Sequence, residues 1–293
     1  MRIGIVANPN KPLAVTLARR AIALVGSRAE VVLTRETREA IGGSGPAIAL
    51  EEIEADALIV LGGDGTILYT LQRTRVPILP VNAGTVGFLA EIDGENPKAF
   101  EGAVDRLLRG AFHIEDRMKL AGSIAGVPLP DATNEVVVHT SQVAKMREFE
   151  ILVDRRPVGR LRADGVIVAT ATGSTSYALA ALGPILDPSV EAIVLASLAP
   201  FQSTQRAVVI DPLRIVGIRL VREARDGVVV VDGQSEQPLR GGETVTVYRS
   251  PRRSSFIRLG GSFFRRLQGK QILPWGLPTP AGEGPDADLS AAP

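Results

Sequence analysis

Hydrophobic and polar residues follow two different rhythms along the chain. In residues 1–112, short apolar runs such as 58–61 alternate with segments like the one that starts at Pro12, where apolar residues recur every three or four positions. Runs this short are typical of strands buried on both faces, and the longer spacing is typical of an amphipathic helix. The alternation predicts a parallel, Rossmann-like α/β domain over residues 1–112.

The individual elements of this first half follow from the same two spacings. Turn residues separate them, as in Asn8-Pro9-Asn10. The expected strands are 3–7, 30–33, 58–61 and 76–80, and the expected helices start at Pro12, cover 47–54, follow Asp64 and cover 98–109.

Residues 113–254 show shorter, β-rich runs with turn residues between them, such as Arg240-Gly241-Gly242. This spacing is typical of an antiparallel sandwich or sheet pair, so we expect a β-rich, sandwich-like domain. One helix, over 174–182, is expected to interrupt it. The expected strands are 136–138, 149–153, 166–168, 215–221, 228–231 and 245–247.

The last part of the chain divides into two pieces by its apolar content. Residues 255–274 are too apolar for a free linker, and we expect them to pack back on the α/β domain, with 263–267 as a docking helix. Residues 275–293 are rich in proline, glycine and alanine and offer little to bury, which predicts a disordered tail.

Composition disfavours several classes of protein. The 293 residues carry 33 Lys and Arg against 32 Asp and Glu, a balance that does not favour a nucleic-acid partner or a polybasic membrane anchor. The lack of cysteine excludes thiol catalysis, disulfides and thiolate metal sites. No apolar run is long enough to span a bilayer, so we expect a soluble, cytoplasmic protein. His113 and His139 lie far apart without ligand-spaced partners, which favours structural histidines over a metal site.

The sequence Gly62-Gly63-Asp64-Gly65-Thr66 connects the apolar run 58–61 to a helical pattern. Its glycines permit backbone angles closed to other residues and let a ligand approach the main chain. Thr66 is placed to cap the helix, whose free N–H groups would face an anion. A phosphate beside the Asp64 carboxylate needs a cation or a reaction that uses a base, which indicates phosphoryl transfer. Taken alone, the motif fits a tight turn with a solvated aspartate equally well.

Three further polar segments accompany this motif, and two of them suit a nucleotide. Thr133-Asn134-Glu135 leads into a strand and offers an amide and a carboxylate to a nucleoside. The run 164–177 delivers hydroxyls and a glycine to a helix start, and Tyr177 is placed to stack on a purine or to pack inside the domain. Asp232-Gly233-Gln234 is a polar turn. Each segment, taken alone, also fits an ordinary turn or capping sequence.

In this order and spacing, the segments resemble the NAD kinase family over residues 3–270. The matching motifs are Gly62-Gly63-Asp64-Gly65-Thr66, residues 82–89, Asn134-Glu135, residues 164–177 and Asp232-Gly233-Gln234. Diacylglycerol-type lipid kinases and phosphofructokinases share the first of these. Ala144-Lys145-Met146 and Arg162-Ala163-Asp164 look most like the archaeal branch. Ala171, Ser176 and Leu182 depart from the family pattern, and Leu182 is placed to reshape the floor of the pocket.

The resemblance implies transfer of a phosphoryl group from ATP or polyphosphate to the 2′-hydroxyl of the adenosine ribose of NAD, with Mg²⁺ or another divalent cation. It implies that Asp64 accepts the hydroxyl proton, although a Mg²⁺-binding role stays open. Gly63, Gly65 and Thr66 would contact the donor phosphates. The other substrate-binding positions that it implies are Phe88, Asn134, Glu135, Lys145, Arg162, Asp164, Thr175, Ser176, Tyr177, Ala178, Ala180 and Gln234.

The resemblance also implies a homodimer or homotetramer that assembles through the β-rich half. Two alternatives are a diacylglycerol-type lipid kinase and a non-enzymatic NAD(H)-sensing module. The lipid kinase is disfavoured because Asn134-Glu135 lies far downstream of Asp64 and no amphipathic entry surface is visible. The sensor is disfavoured because it needs no base at Asp64.

Overall fold

The computed structural model describes residues 1–44, 47–84, 87–143, 145–202, 205–221, 226–261, 263–269 and 272. The chain forms two units, Met1–Gly260 and Gly261–Pro293. Every helix in the described ranges is too short or too polar to pass through a lipid bilayer.

The first half alternates strands and helices, as the sequence predicts. Its elements are β1 (Arg2–Ala7), α1 (Pro12–Val25), β2 (Glu30–Leu33), α2 (Arg35–Ile41), β3 (Ala57–Gly62), α3 (Asp64–Arg73), β4 (Ile78–Asn82), β5 (Ile92–Asp93) and α4 (Pro97–Leu108). Strands β4, β3, β1 and β2 lie side by side in that order and run parallel. The order reverses at β1, and α1 and α3 pack on opposite faces. A crevice therefore forms at the carboxyl ends of β1 and β3.

Strand β3 is the centre of this half. All six of its residues are buried. Ile59 and Leu61 join the apolar cluster of α1 and α4, whereas Leu58 and Val60 join that of α3. Burial of each large apolar side chain stabilises the fold by ~1.5–3 kcal/mol, so the strand holds the following glycine turn firmly in place.

Two local predictions in this half are wrong. Helix α2 lies where the pattern predicts no helix, and the helix predicted over 47–54 is only a 3₁₀ turn, Leu50–Glu52. Helix α2 has clear ends, because the Thr34 hydroxyl accepts a hydrogen bond from the Thr37 N–H and Gly42 follows at φ 67°. It lacks an apolar stripe, since Thr37 is its single buried residue.

The second half consists mainly of strands. Its elements are β6 (His113–Ile124), β7 (Val127–Pro128), β8 (Glu135–Thr140), β9 (Arg147–Val153), β10 (Arg156–Ala163), β11 (Gly165–Ala169), α5 (Tyr177–Ala180), β12 (Ile193–Leu198), β13 (Val208–Ile210), β14 (Val216–Leu220), β15 (Gly227–Val231), β16 (Ser235–Leu239) and β17 (Thr244–Arg258). A six-stranded sheet has the order β13-β12-β11-β8-β15-β16. It packs against β9, β14 and β17 through a core that includes Phe149, Val166 and Val229. The predicted sandwich-like half is confirmed.

Strand β17 belongs to both halves, which the sequence does not predict. Near its start it pairs antiparallel with β14, and near its end Phe256 pairs in parallel with Ile78 of β4. Strand β6 follows its other edge, with a shift in register between Arg249 and Arg253. The eleven-stranded sheet is therefore continuous from the β-rich half to the α/β half. The predicted return of the C-terminal segment starts with the end of a strand rather than with a helix.

The second unit contains one described helix, α6 (Phe263–Gly269), which covers the helix expected over 263–267. Its docking on the α/β half stays a prediction. The tail predicted over 275–293 lies outside the described residues.

Candidate active site

The glycine turn lies at the carboxyl end of β3. Gly63 follows the strand in an extended conformation (φ −98°, ψ −175°), and Asp64 is the first residue of α3. A β-carbon on Gly62 would collide with the Thr66 side chain, so the first turn of α3 packs directly on the strand. This is the strand–turn–helix arrangement that the motif predicts.

The Asp64 carboxylate is held by the loop that follows β4. Its Oδ2 accepts a hydrogen bond from the Phe88 N–H at 2.8 Å, and its Oδ1 accepts one from the Leu89 N–H at 3.3 Å. Gly87 lies so close that a β-carbon there would overlap the carboxylate carbon and both oxygens. Two backbone donors and a glycine thus fix the orientation of this carboxylate.

Thr66 does not cap α3, in contrast to the prediction. The helix already begins at Asp64, with Gly63 at the N-cap and no side chain bonded there. Thr66 Oγ1 instead accepts a hydrogen bond from Asn8 Nδ2 at 3.0 Å, which joins the helix to the loop after β1. The first N–H groups of this ten-residue helix have no partners within it, an arrangement that suits an anion.

Two side chains from distant segments reach the turn. The Lys11 Nζ lies beside two glycines. It is 3.1 Å from the place that a β-carbon would take on Gly63, and 3.3 Å from the place that one would take on Gly84. Gln234 places its Nε2 3.8 Å from the position of a β-carbon on Gly65. A cation and an amide donor therefore flank the turn. Nothing in the sequence pattern singles out Lys11, whereas the resemblance does single out Gln234.

Asp232 fixes the backbone of the Asn134-Glu135 pair. Its buried carboxylate accepts hydrogen bonds from the N–H groups of Thr133, Asn134 and Glu135, at 2.7, 2.8 and 3.0 Å. Asp232 has a φ of 51°, which is uncommon for residues other than glycine. Because Gln234 follows two residues later, this turn connects the Asn134-Glu135 pair to the glycine turn. The sequence shows Asp232 only as part of a polar turn.

The side chains of the pair carry unpaired polar atoms. Asn134 and Glu135 are 5% and 6% exposed, and no described residue pairs with Asn134 Oδ1 or Glu135 Oε2. Glu135 Oε1 accepts a hydrogen bond from Ser176 Oγ at 3.2 Å. Burial, and then the nearby Asp232 carboxylate, raise the pKa of Glu135 to about 8. Because buried polar atoms without partners are costly, the pair suits a ligand that forms hydrogen bonds.

The segment after β11 is tighter than the predicted helix over 174–182. It forms a 3₁₀ turn, Gly173–Thr175, and then the one-turn helix α5. The Thr175 hydroxyl donates to the Thr172 carbonyl at 3.2 Å, so it closes the turn, as the capping alternative predicts. A β-carbon on Gly173 would collide with the backbone of Asn134, which brings this segment directly against the pair.

Tyr177 and Glu135 line one cavity of about 580 Å³, together with residues of β8 and β15. Tyr177 is 44% exposed, Ala178 is buried and Ala180 is exposed. Leu182 is 91% exposed in a left-handed conformation (φ 58°) and does not line this cavity, so its effect on a pocket floor stays a prediction.

Lys145, Arg162 and Asp164 lie away from the other predicted residues. Glu135 pairs with Ala169 at one end of β11, and Asp164 precedes the other end. The separation along the strand is about 16 Å at about 3.3 Å per residue. Arg162 stacks on the ring of Phe201 at 5.2 Å, and Lys145 is exposed. Within one chain, these three residues are not brought to the glycine turn.

The described residues contain no group of three or more histidine, aspartate or glutamate side chains placed to hold a metal ion. His139 Nδ1 lies 2.8 Å from the carbonyl oxygen of Thr140, and His113 is the first residue of β6. The two histidines are on different strands.

Models of known protein families match both halves of the chain. The family model of the ATP-NAD kinase N-terminal domain matches residues 3–112, and that of the ATP-NAD kinase C-terminal domain matches residues 133–259. The chain belongs to the NAD kinase family.

Curated relatives of this NAD kinase family member include archaeal proteins. An NAD kinase from Thermoplasma volcanium is 37% identical over 272 residues, which cover 93% of this chain and 98% of the relative. An NAD kinase from Methanopyrus kandleri is 40% identical over 279 residues, which again cover 93% of this chain and 98% of the relative. The predicted similarity to the archaeal branch is confirmed.

Two solved structures are similar to this chain. An NAD kinase from Archaeoglobus fulgidus in complex with ATP has a TM-score of 0.75 at 31% identity, covering 92% of this chain and 98% of that one. Yeast NADH kinase complexed with NADH has a TM-score of 0.83 at 22% identity, and the match covers 95% of this chain and 89% of the yeast chain. At that identity, the yeast structure shows the shared fold alone.

Proposed function

We propose that this NAD kinase family member transfers the γ-phosphoryl group of ATP to the 2′-hydroxyl of the adenosine ribose of NAD, giving NADP and ADP. The observation that carries the proposal is the position of Asp64. Its carboxylate, oriented by Phe88 and Leu89, lies at the amino end of α3, where a base and an anion-binding helix end meet. The relatives named NAD kinase and the ATP complex of the A. fulgidus protein support these substrates.

In the proposed reaction, Asp64 takes the proton of the 2′-hydroxyl while the hydroxyl oxygen bonds to the γ-phosphorus. The bond from that phosphorus to the bridging oxygen breaks, and ADP leaves with the electron pair. Such transfers depend mainly on positioning and charge neutralisation, so the base orients the nucleophile more than it drives the step. Gly63, Gly65 and Thr66 belong to the turn that would face the donor phosphates.

A divalent cation fits this site as a companion of the donor. Magnesium usually binds through one or two carboxylates together with substrate phosphates. Asp64 supplies one carboxylate, and each of its oxygens keeps a lone pair beyond the one that accepts a backbone hydrogen bond. When bound, Mg²⁺ would neutralise phosphate charge.

Asn134 and Glu135 are proposed to bind NAD, because their unpaired atoms suit the amino and hydroxyl groups of an adenosine. Donors from the ligand favour the ionised carboxylate, so NAD binding is expected to lower the pKa of Glu135 from about 8 and to release a proton. Further proposed contacts with NAD are Phe88, Lys145, Arg162, Asp164, Thr175, Ser176, Tyr177, Ala178, Ala180 and Gln234.

We also propose that residues 1–112 serve the donor and residues 113–254 the acceptor, in a homodimer or homotetramer formed through the β-rich half. Light scattering on the purified protein tests the assembly, and a monomer at assay concentration would contradict it. The cytoplasmic location expected from the sequence stays a prediction.

Measurement of NADP formation from NAD tests the function, with ATP and inorganic polyphosphate supplied separately. NADP formed with ATP supports the proposal, and NAD binding without any turnover would overturn it in favour of a sensor. The lipid kinase alternative finds no support in the matching family models. Diacylglycerol in place of NAD should yield no phosphorylated product.

A further inference from the structure

A cavity of about 340 Å³ opens beside the amino end of α3, distinct from the one that Glu135 and Tyr177 line. Its walls come from the segments after β1 and β2, from the 3₁₀ turn Leu50–Glu52 and from α3, and they include Pro9, Leu50 and Tyr69. The cavity lies at the crevice where the strand order reverses, which is the usual ligand position in open α/β sheets.

We propose that this cavity binds the nucleoside of the donor nucleotide, and that Lys11 binds the donor phosphates. The inference rests on the proposed function and specifies which part of the donor the chain recognises. Pro9, Leu50 and the ring of Tyr69 offer apolar surface to a flat base, whereas the Glu36 carboxylate and the Asn10 amide offer hydrogen bonds to ribose hydroxyls. The volume is within the range of small-molecule sites, about 300–1,000 Å³.

The ring of Tyr69 is held in place before any ligand binds. It is 38% exposed, and the Arg73 guanidinium stacks on it at 3.6 Å. Arg73 in turn pairs with Glu51 at 3.1 Å. A ring that is already fixed loses little freedom when a base packs against it, so Tyr69 is suited to base stacking.

The residues beside the cavity indicate where the phosphates of the donor would lie. Gly65 and Thr66 line it on the side of the glycine turn, and Lys11 Nζ lies against Gly63 in the same turn. Lys11 forms no salt bridge with any residue that the structure describes. Phosphates that extend from the cavity along this turn would meet its ammonium group beside Asp64.

Tyr69 variants test the nucleoside end. Tyr69→Ala should raise the KM for ATP about tenfold, because loss of an aromatic ring weakens base stacking. The KM for NAD and the inhibition constant of inorganic tripolyphosphate, a competitor without a nucleoside, should not change. Tyr69→Phe keeps the ring and should restore the ATP KM. Tyr248→Ala, which removes a similarly exposed tyrosine (40%), is the matched control.

A Lys11 variant tests the phosphate end with the same measurements. Lys11→Met should weaken ATP and tripolyphosphate alike, by about tenfold or more, because both lose the same charged contact. Lys98→Met removes an exposed lysine on α4 and should change neither constant. Thermal melts of each variant check that the fold is retained.

Three results would overturn the inference: an ATP KM within twofold of wild type in Tyr69→Ala, equal losses of ATP and tripolyphosphate in that variant, or unchanged tripolyphosphate inhibition in Lys11→Met. A wild-type chain that forms no NADP would instead refute the proposed function. Calorimetry with a non-hydrolysable ATP analogue and the same variants then still decides whether the cavity binds a nucleoside.

Discussion

Substitution of Gly87 by alanine adds one methyl group to the loop that orients Asp64. On the present backbone, the new carbon overlaps the carboxylate carbon and both oxygens of Asp64, so the side chain or the loop has to move. Either movement breaks or lengthens the hydrogen bonds from the Phe88 N–H at 2.8 Å and the Leu89 N–H at 3.3 Å. The perturbation therefore acts mainly on the position of the proposed base.

The size of the effect follows from this overlap. A displacement of about 1 Å in a catalytic group costs on the order of 10²-fold in rate, so kcat for NADP formation should fall by about that factor. Overpacking also lowers the free energy of unfolding, by ~1–3 kcal/mol. The affinity for NAD should change far less than kcat, because Phe88 is the one proposed NAD contact in this loop and the backbone of Asn134 and Glu135 is bonded to Asp232.

The assay couples NADP to an NADP-specific dehydrogenase at saturating ATP and NAD, with thermal melts on the same preparations. Gly102→Ala is the matched control, since a β-carbon there, on α4, meets no atom within 4 Å. Its kcat should not change, and its Tm should stay equal or rise because alanine favours helix over glycine. A kcat within twofold of wild type for Gly87→Ala would refute the reasoning.

Four other variants and a pH series extend these tests. Asp64→Asn should lower kcat by ~10²–10⁴-fold while NAD still binds, and a near-native kcat would end its assignment as the base. Asn134→Ala and Glu135→Ala should each weaken NAD binding by ~1–3 kcal/mol with the fold intact, and unchanged affinity in calorimetry for both would leave the pair a structural role. The folded chain keeps a proton on Glu135 up to a pKa of about 8, whereas the unfolded chain releases it near 4.5, so the free energy of unfolding of the ligand-free protein should fall as the pH rises between these values. Glu135→Gln should flatten that slope in chemical denaturation, and an unchanged slope would contradict the assignment.

Elements with long apolar runs could be predicted from the sequence, and elements defined by tertiary contacts could not. Strand β3 is buried on both faces and appears as a continuous apolar run. Strand β6 carries charged residues along much of its length, yet Arg117 and Lys119 are buried in it. Lys119 Nζ donates to the Leu71 carbonyl at 2.7 Å, a contact between two halves that local pattern does not reveal. Helix α2 has capping residues at both ends but no apolar stripe, so the spacing of its apolar residues does not predict a helix.

The candidate site could be predicted as separate motifs but not as a joined arrangement. The resemblance brings Asp64 and Asn134-Glu135 into one proposed site, and their roles toward substrates stay predictions. The bond from the Asn134 N–H to Asp232 spans 98 residues, so the turn that anchors the pair is indistinguishable in sequence from an ordinary hairpin turn. Lys11 likewise reaches the glycine turn only because β1 and β3 are neighbours in the sheet.

Strand β17 also restricts how the two halves of the chain can move against each other. Because one strand is hydrogen-bonded into both halves, a rotation of either half against the other would shear the sheet across its width. Within the described residues, this strand leaves no flexible connection as the sole link between the two halves. We therefore expect substrate entry and product release to depend on movements of loops, among them the loop that holds Asp64.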